Sequence, residues 1–374
     1  MAGIYLHIPF CKQACTYCNF HFTTSLRHKD DLVKAIQKEI IAEKDYLRGE
    51  EVATIYFGGG TPSILEISDL RFLISDLNRH YPIAQDAEIT LEANPDDVTK
   101  EKAGAWKEIG INRLSIGIQS FFEEELRWMN RAHNAEQAKA CIENSYAAGI
   151  DNLNIDLIYG SPLLTDEMWK QNVDTAIGYD VTHLSCYALT VEEKTPLHKN
   201  ISLQKTVDID NDKQARQFLQ LMNWLRKAGY EHYEVSNFAK PGFRSRHNSS
   251  YWKGTSYLGL GPSAHSFNGS ERRWNIANNN VYINSINEGF AERELEALTP
   301  SQQLNESIMI SLRTVEGIDL SKMQMHWGAK ERNRIENDLT KYIQTGLITL
   351  SNDHAQLTDE GMLRADGIAA DLFV

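Results

Sequence analysis

Six short segments rich in β-branched and aromatic residues recur through the first half of the chain: "GIYLHI" from residue 3, "TIYFGGG" from 54, "EITLEANP" from 88, "RLSIGIQSF" from 113, "NLNIDLIYG" from 152 and "HLSCYALT" from 183. Such runs read as strands. Between them lie stretches with apolar residues at helical spacing, among them "DDLVKAIQKEIIAEKDYL", "ISDLRFLISDLNRHY" and "AEQAKACIENSYAAG". Strand and helix in alternation impose a parallel sheet with right-handed crossovers. Six units fall two short of the full barrel of eight. The expected fold class is therefore α/β, a partial (β/α)6 TIM-like barrel over residues 1–230.

The polar residues of these segments gather at one end. The strands finish in the cysteine loop of residues 11–18, Gly58-Gly59-Gly60-Thr61, Glu92, Gln119, Asp156 and Tyr187. In barrels of parallel strands the site is built at the C-terminal strand ends, so these tails should converge. Gly, Asn and Asp also terminate strands for ordinary conformational reasons. A succession of loaded tails is harder to explain that way.

Past residue 230 the alternation stops. Residues 231–298, which include "YEHYEVSNFAKPGFRSRHNSSYWKGTSYLGLGPSAHSFNG", are rich in Gly, Ser, Asn and aromatics and read as irregular chain covering the barrel. Helical patterns return over 299–374, followed by "LITLSNDHAQLT", whose Asn352-Asp353 suits a tight hairpin. Helices followed by a hairpin predict a C-terminal winged-helix-like unit. Residues 301–374 carry 7 Lys+Arg against 11 Asp+Glu, so a lid or partner-docking role fits better than DNA. The formal charge of -13 likewise argues against nucleic acid.

With 374 residues the chain has core enough to fold without cross-links. The start "MAGIYLHIPF" has no basic region leading into a long apolar run, and no window reaches the 18 or so apolar residues of a membrane span. A cytoplasmic protein is expected. In that reducing compartment clustered cysteines point to a metal or redox site rather than disulfides.

Cys11, Cys15 and Cys18 form such a cluster. Zinc would need a fourth ligand, for which His21 is at hand, although zinc sites usually join ligand pairs from separate segments. Cys15 and Cys18 have the spacing of a dithiol redox pair without its usual context, and plain buried cysteines are a further reading. An iron-sulfur cluster is the fourth: a cubane takes four thiolates, and three would leave one iron open to a ligand.

At this point the sequence resembles a family. C-x-x-x-C-x-x-C directly after a first strand, with Tyr17 before the last cysteine, is similar to the radical S-adenosylmethionine (SAM) superfamily, and "YFGGGTPSIL" resembles its glycine-rich SAM contact. The resemblance implies a [4Fe-4S] cluster on Cys11, Cys15 and Cys18 with SAM chelating the open iron; members of the superfamily cleave SAM to a 5'-deoxyadenosyl radical, and the sequence does not decide that step for this chain. "YLHIPFC", "GGGTP", "LEANP", "IGIQSF" and "DLIYGSP" together resemble the HemN/HemW group of oxygen-independent coproporphyrinogen III oxidases and heme chaperones. By motif position this implies SAM contacts at Tyr5, Tyr17, Gly59, Gly60, Thr61, Glu92, Gln119, Arg131, Asp156 and Ala188. The alternative reading of Tyr5 is strand packing, and that of Arg131 is a pair with Glu124 or Glu125. Gly259-x-Gly261-x-x-Ala264 imitates a dinucleotide fingerprint, but with Pro262 in the way it reads as a loop of close approach.

Within the group, Phe20 stands where the oxidases usually carry a further cysteine, and only four residues precede Tyr5, where the oxidases carry an extension. Both features lead away from coproporphyrinogen oxidase activity. "HNSSYW", from His247 to Trp252, resembles the H-N-x-x-Y-W motif of the heme-chaperone branch. The branch implies heme as cargo, His247 as its axial ligand, and acceptor proteins such as respiratory hemoproteins, reached by peripheral contact where these sit in membranes. His265 and His232 are alternative ligands. An oxidase acting on coproporphyrinogen III, or a radical enzyme acting on heme itself, are the other readings.

Overall fold

The computed structural model describes Met1–Val374. Parallel strands follow one another in chain order: β1 (Ala2–Ile8), β2 (Val52–Gly59), β3 (Ile83–Ala93), β4 (Arg113–Gln119), β5 (Leu153–Tyr159) and β6 (His183–Ala188). Each is hydrogen-bonded in parallel to the next. β1 and β6 are not neighbours, so the barrel is partial, as the count of units predicts.

Side chains alternate across a strand, and the two faces of this sheet differ in kind. Ile4, Leu6 and Ile8 of β1, with Ile55 and Phe57 of β2, join one continuous apolar core. Helices Lys29–Ala42 and Ile67–His80 contribute their buried apolar faces to it. The alternate set, such as Tyr5, Tyr56, Glu92, Asn154, Asp156 and Ser185, is polar and lines the inside. Buried polar groups persist where they bond one another. Asn154 Nδ2 donates to Ser115 Oγ at 2.8 Å and to Asp156 at 2.7 Å, while its Oδ1 accepts from Ser185 at 3.0 Å.

The segment expected to be irregular is built differently. Residues 231–298 form β7 (Glu231–Glu234), β8 (Asn237–Ala239), β9 (Tyr257–Leu260), β10 (His265–Phe267), β11 (Glu271–Asn275) and β12 (Arg293–Ala297), with helices Arg246–Trp252 and Asn279–Asn287. They extend the sheet to 12 strands in the order β12-β11-β10-β9-β1-β2-β3-β4-β5-β6-β8-β7. The physical reason is the open barrel itself: β1 and β6 would otherwise present unpaired backbone edges. β9 pairs with β1 in parallel, and β8 with β6 antiparallel. Glu39, 1% exposed, fastens the first extension to helix Lys29–Ala42 by accepting from Gly261 N at 2.8 Å, Asn275 Nδ2 at 2.7 Å and Tyr282 Oη at 2.6 Å.

The C-terminal region has the order expected of a winged helix. Helix Pro300–Leu312 leads through β13 (Ile318–Asp319) to a helical stretch Leu320–Gln344 broken at Gly328, then to the hairpin of β14 (Ile348–Ser351) and β15 (His354–Leu357). Asn352 and Asp353 turn that hairpin with φ of 50° and 63°, the left-handed pair that a tight turn of this kind requires. No helix of the structure is long and apolar enough to cross a membrane.

Candidate functional site

β1 carries the chain to the C-terminal end of the sheet, where the cysteine loop is tied down along its length. Lys12 pairs with Asp96 at 2.7 Å and with Asp97. Gln13 Nε2 donates to Asn130 Oδ1 at 2.6 Å, and Asn130 Nδ2 donates to Ala14 O at 2.7 Å. Thr16 N donates to Met129 O at 3.1 Å, and Leu197 N to Thr16 O at 2.8 Å. Anchoring of this kind fixes the loop without using a sulfur.

Cys11, Cys15 and Cys18 are half-buried, whereas Cys141 and Cys186 are each 1% exposed and packed in the core. Burial pushes the Cys11 thiol up and the Cys18 thiol up to about 11. His21 Nε2 bonds Asn279 Oδ1 at 2.8 Å, which leaves Nδ1 as its one open nitrogen. No three His, Cys, Asp or Glu side chains converge on one point as a single ion requires. Phe20, at 69% exposure, turns to solvent beside the loop.

The glycine run of β2 is the bed of the first cysteine. A Cβ on Gly60 would lie 2.7 Å from Phe10 O and 3.0 Å from Cys11 Sγ. Gly59 has φ 112°, and a Cβ there would strike the His7 ring at 2.7 Å. Thr61 N donates to Phe10 O at 2.7 Å, and its hydroxyl reaches Cys11 Sγ at 3.5 Å.

Arg131 pairs with neither Glu124 nor Glu125, the partners its neighbourhood in the sequence offers. Its Nη1 donates to Cys15 Sγ at 3.1 Å, and its Nη2 donates to Asn94 Oδ1 at 2.8 Å and Gly117 O at 2.6 Å. Its buried Nε has no partner. Glu125 instead accepts from Ser161 Oγ at 2.6 Å. Tyr17 stands beside Arg131, Cys15 and Cys18, with its phenol pushed up by burial. Gln119, 8% exposed with φ 68°, turns the chain sharply at the end of β4; a Cβ on Gly117 would meet its Nε2 at 2.9 Å and Arg131 Nη2 at 3.2 Å.

Glu92 accepts from Tyr56 Oη at 2.8 Å and Gly59 N at 3.1 Å, and burial raises its pKa to about 7. Burial likewise raises Asp156 to about 6. Tyr5 donates or accepts at His7 Nδ1 at 3.1 Å and lies 6.1 Å from Tyr56, ring to ring. Its inward face is shared with Glu92: a Cβ on Gly58 would meet Tyr5 at 2.9 Å and Glu92 at 3.1 Å. Ala188 ends β6 opposite Tyr159, on the outward register of Leu184 and Cys186, so what it offers the strand ends is main chain.

His247 departs from expectation. It lies on helix Arg246–Trp252 rather than in a loop, and it is 1% exposed. Both ring nitrogens are engaged, Nδ1 with Thr54 Oγ1 at 2.8 Å and Nε2 with Tyr251 Oη at 2.9 Å. The ring stacks on Tyr56 at 4.9 Å, and Glu88 accepts from its backbone N at 3.0 Å. Burial lowers its pKa to about 3. The H-N-x-x-Y-W histidine is a closed internal contact between this helix and β2, and it presents no free nitrogen to an iron. His232 is likewise engaged, with Nε2 on Val235 O at 3.1 Å and its ring 4.1 Å from that of Phe238.

Sequence reasoning passed over Arg113. It is 1% exposed, and its Nε and Nη2 have no partner; neither has the hydroxyl of Thr90, its register partner on β3. An arginine opening an apolar strand was the available signal. Asn94 and Asn130, which position Arg131 and the cysteine loop, gave no signal of their own.

The residues present fit an iron-sulfur cluster with SAM. Three half-buried thiols share one anchored loop, a glycine bed admits no Cβ beneath Cys11, and the unpartnered Nε of Arg131 adjoins them. Comparison with known proteins agrees. Residues 5–176 match the radical SAM superfamily and residues 298–364 the HemN C-terminal domain. The heme chaperone HemW of Bacillus subtilis is 32% identical over 366 residues, 97% of this chain and 97% of its own length. The HemW of Mycobacterium tuberculosis is 33% identical, covering 99% of this chain and 94% of that one. That of Escherichia coli is 37% identical over 70% of this chain and 69% of its own. The structure of coproporphyrinogen III oxidase (HemN) from Escherichia coli, a radical SAM enzyme, superposes with a TM-score of 0.87 at 24% identity, over 100% of this chain and 90% of that one, which shows a common fold. By its cysteine loop, its partial barrel and these relatives together, the chain belongs to the HemN/HemW group of the radical SAM superfamily, alongside the heme chaperones named HemW.

Proposed function

We propose that this protein is a heme carrier, which binds heme and passes it to acceptor hemoproteins, including those of respiration, from the cytoplasm. The observation that carries the reading is likeness to HemW chaperones along nearly the whole chain. Likeness to the coproporphyrinogen oxidase, at 24% identity, supports the fold alone.

In this reading Cys11, Cys15 and Cys18 hold a [4Fe-4S] cluster by three thiolates and leave one iron for SAM. Such a cluster supplies an electron for reductive cleavage of SAM when both are bound. The chain's own residues bind and orient: the Nε of Arg131 takes a carboxylate, and Glu92 and Asp156 accept from an amino group or ribose hydroxyls. Gly59, Gly60 and Thr61 give close backbone approach, while Tyr5, Tyr17, Gln119 and Ala188 complete the wall. Cys15, already bonded to Arg131, couples the thiolate loop to the carboxylate site.

The test is anaerobic incubation of the reconstituted protein with SAM, a reductant and either heme or coproporphyrinogen III, with mass analysis of the products, followed by mixing of the heme-loaded protein with an apo-hemoprotein. Heme should emerge unaltered and reach the acceptor, with no protoporphyrinogen IX formed. Efficient decarboxylation, without heme transfer, refutes the carrier and makes the protein an oxidase.

A further inference from the structure

A heme iron needs an axial ligand with a free, neutral, reachable nitrogen, and the 12 histidines divide on those terms. His7, His183 and His247 have both ring nitrogens in hydrogen bonds. His21, His133, His232, His326 and His354 each have one bonded and one open, but His133 is buried, His21 and His232 pack on His7 and Phe238, and His326 and His354 belong to the C-terminal region outside the 12-stranded sheet. Of the rest, His28 faces Asp31 at 3.6 Å, His80 closes helix Ile67–His80, and His198 lies on helix Pro196–Ser202. None of these three stands against another aromatic ring.

His265 differs. It is exposed, it opens β10, and its imidazole stacks on Trp274 at 5.6 Å and 24°. The sheet puts it next to the radical site: β9 runs parallel to β1, so the turn from β9 into β10 sits at the end of the sheet from which the cysteine loop leaves. That turn is packed hard on β1, since a Cβ on Gly261 would fall 2.5 Å from His7 O.

Register also assembles a surface around this ring. Phe267 lies opposite Tyr257, and His265 opposite Trp274, on the face that Tyr257 shares with Gly3 of β1. Tyr257 and Phe267 are 6.3 Å apart, and Tyr251 meets Tyr257 at 4.7 Å. All four aromatics are only half-buried. Three adjacent strands span about 10 Å, the breadth of a planar tetrapyrrole, and half-exposed aromatic rings are the surface an apolar macrocycle would cover.

We propose that His265 is the axial ligand of bound heme, and that Trp274, Phe267 and Tyr257 form the face that takes the macrocycle. The assignment rests on the carrier reading and moves the ligand from the helix of His247 to the strand beside the cluster loop.

The experiment is hemin titration of the full-length protein, read by the Soret band and by resonance Raman bands of the axial bond. His265→Gly should lose affinity on the order of tenfold or more and lose the histidine signature, and added imidazole should restore the signature. Trp274→Ala should weaken binding while keeping the axial bond. A His265→Gly variant with wild-type affinity and an unchanged spectrum overturns the ligand alone. Wild-type protein that binds no hemin overturns the carrier reading, and this ligand with it.

Discussion

Replacing His247 with alanine tests whether the motif histidine is an internal fastening. The substitution removes a ring that is 1% exposed and leaves the Thr54 hydroxyl and the Tyr251 phenol without their partner. Each buried polar group so stranded costs about 1–3 kcal/mol, and losing the ring contact with Tyr56 at 4.9 Å costs about 0.5–1.5 kcal/mol more. The sum, about 2.5–7.5 kcal/mol, is a large share of the 5–15 kcal/mol or so that holds a typical domain folded. At roughly 2 °C per kcal/mol for a large domain, the thermal midpoint should fall by about 5–15 °C. Tyr251→Phe alone should cost about 1 kcal/mol. In urea unfolding, the double variant should be less destabilised than the sum of the singles, because the two residues share one hydrogen bond. A loss below about 1 kcal/mol for His247→Ala, or strict additivity with Tyr251→Phe, would refute the reasoning and return His247 to the list of accessible ligands.

The other expectations concern the strand ends. Alanine at Cys11, Cys15 and Cys18 should abolish the brown colour and iron content of anaerobically reconstituted protein, whereas Cys141→Ala and Cys186→Ala should leave about four irons per chain by cubane stoichiometry. Gly60→Val should lose iron as well as SAM affinity, because its branched side chain would displace Phe10 and Cys11 themselves; iron analysis beside calorimetry reads both. Glu92 must be ionised to receive a cationic ligand, so SAM affinity should rise about tenfold from about pH 6 to about pH 8 and flatten in Glu92→Gln. The same raised pKa has a sign for folding: Glu92 favours the folded state below its unfolded value and loses that contribution as pH climbs through about 7, so Glu92→Gln should gain stability over wild type in denaturant titrations at alkaline pH.

Much of the barrel was readable because its strands are long, β-branched and set apart by helices of clear period. The polar tails were readable because a carboxylate such as Glu92 ending an apolar run has few structural excuses. β7 to β12 were hidden for the opposite reason. They are 3–5 residues long, hold polar and glycine positions as in "YLGL" and "ERRWN", and become strands by pairing with edges that a distant part of the chain leaves open. Arg131 was found by its place in a motif, but its contacts with Cys15 and Asn94 depend on three separate loops meeting. His247 shows the limit most directly. Its neighbours in sequence are polar, which reads as surface, and its burial is created by Thr54 and Tyr56, nearly two hundred residues earlier.

β1 hydrogen-bonds to β2 on one side and to β9 on the other, both in parallel register. The cysteine loop grows from the end of β1, and β10 turns back from the end of β9, so both are mounted on one unbroken lattice of main-chain bonds. Sliding β9 along β1 would require rupturing several of these bonds at once. The root of the cysteine loop and the turn that leads to His265 are thus held in one frame by the ladders on either side of β1.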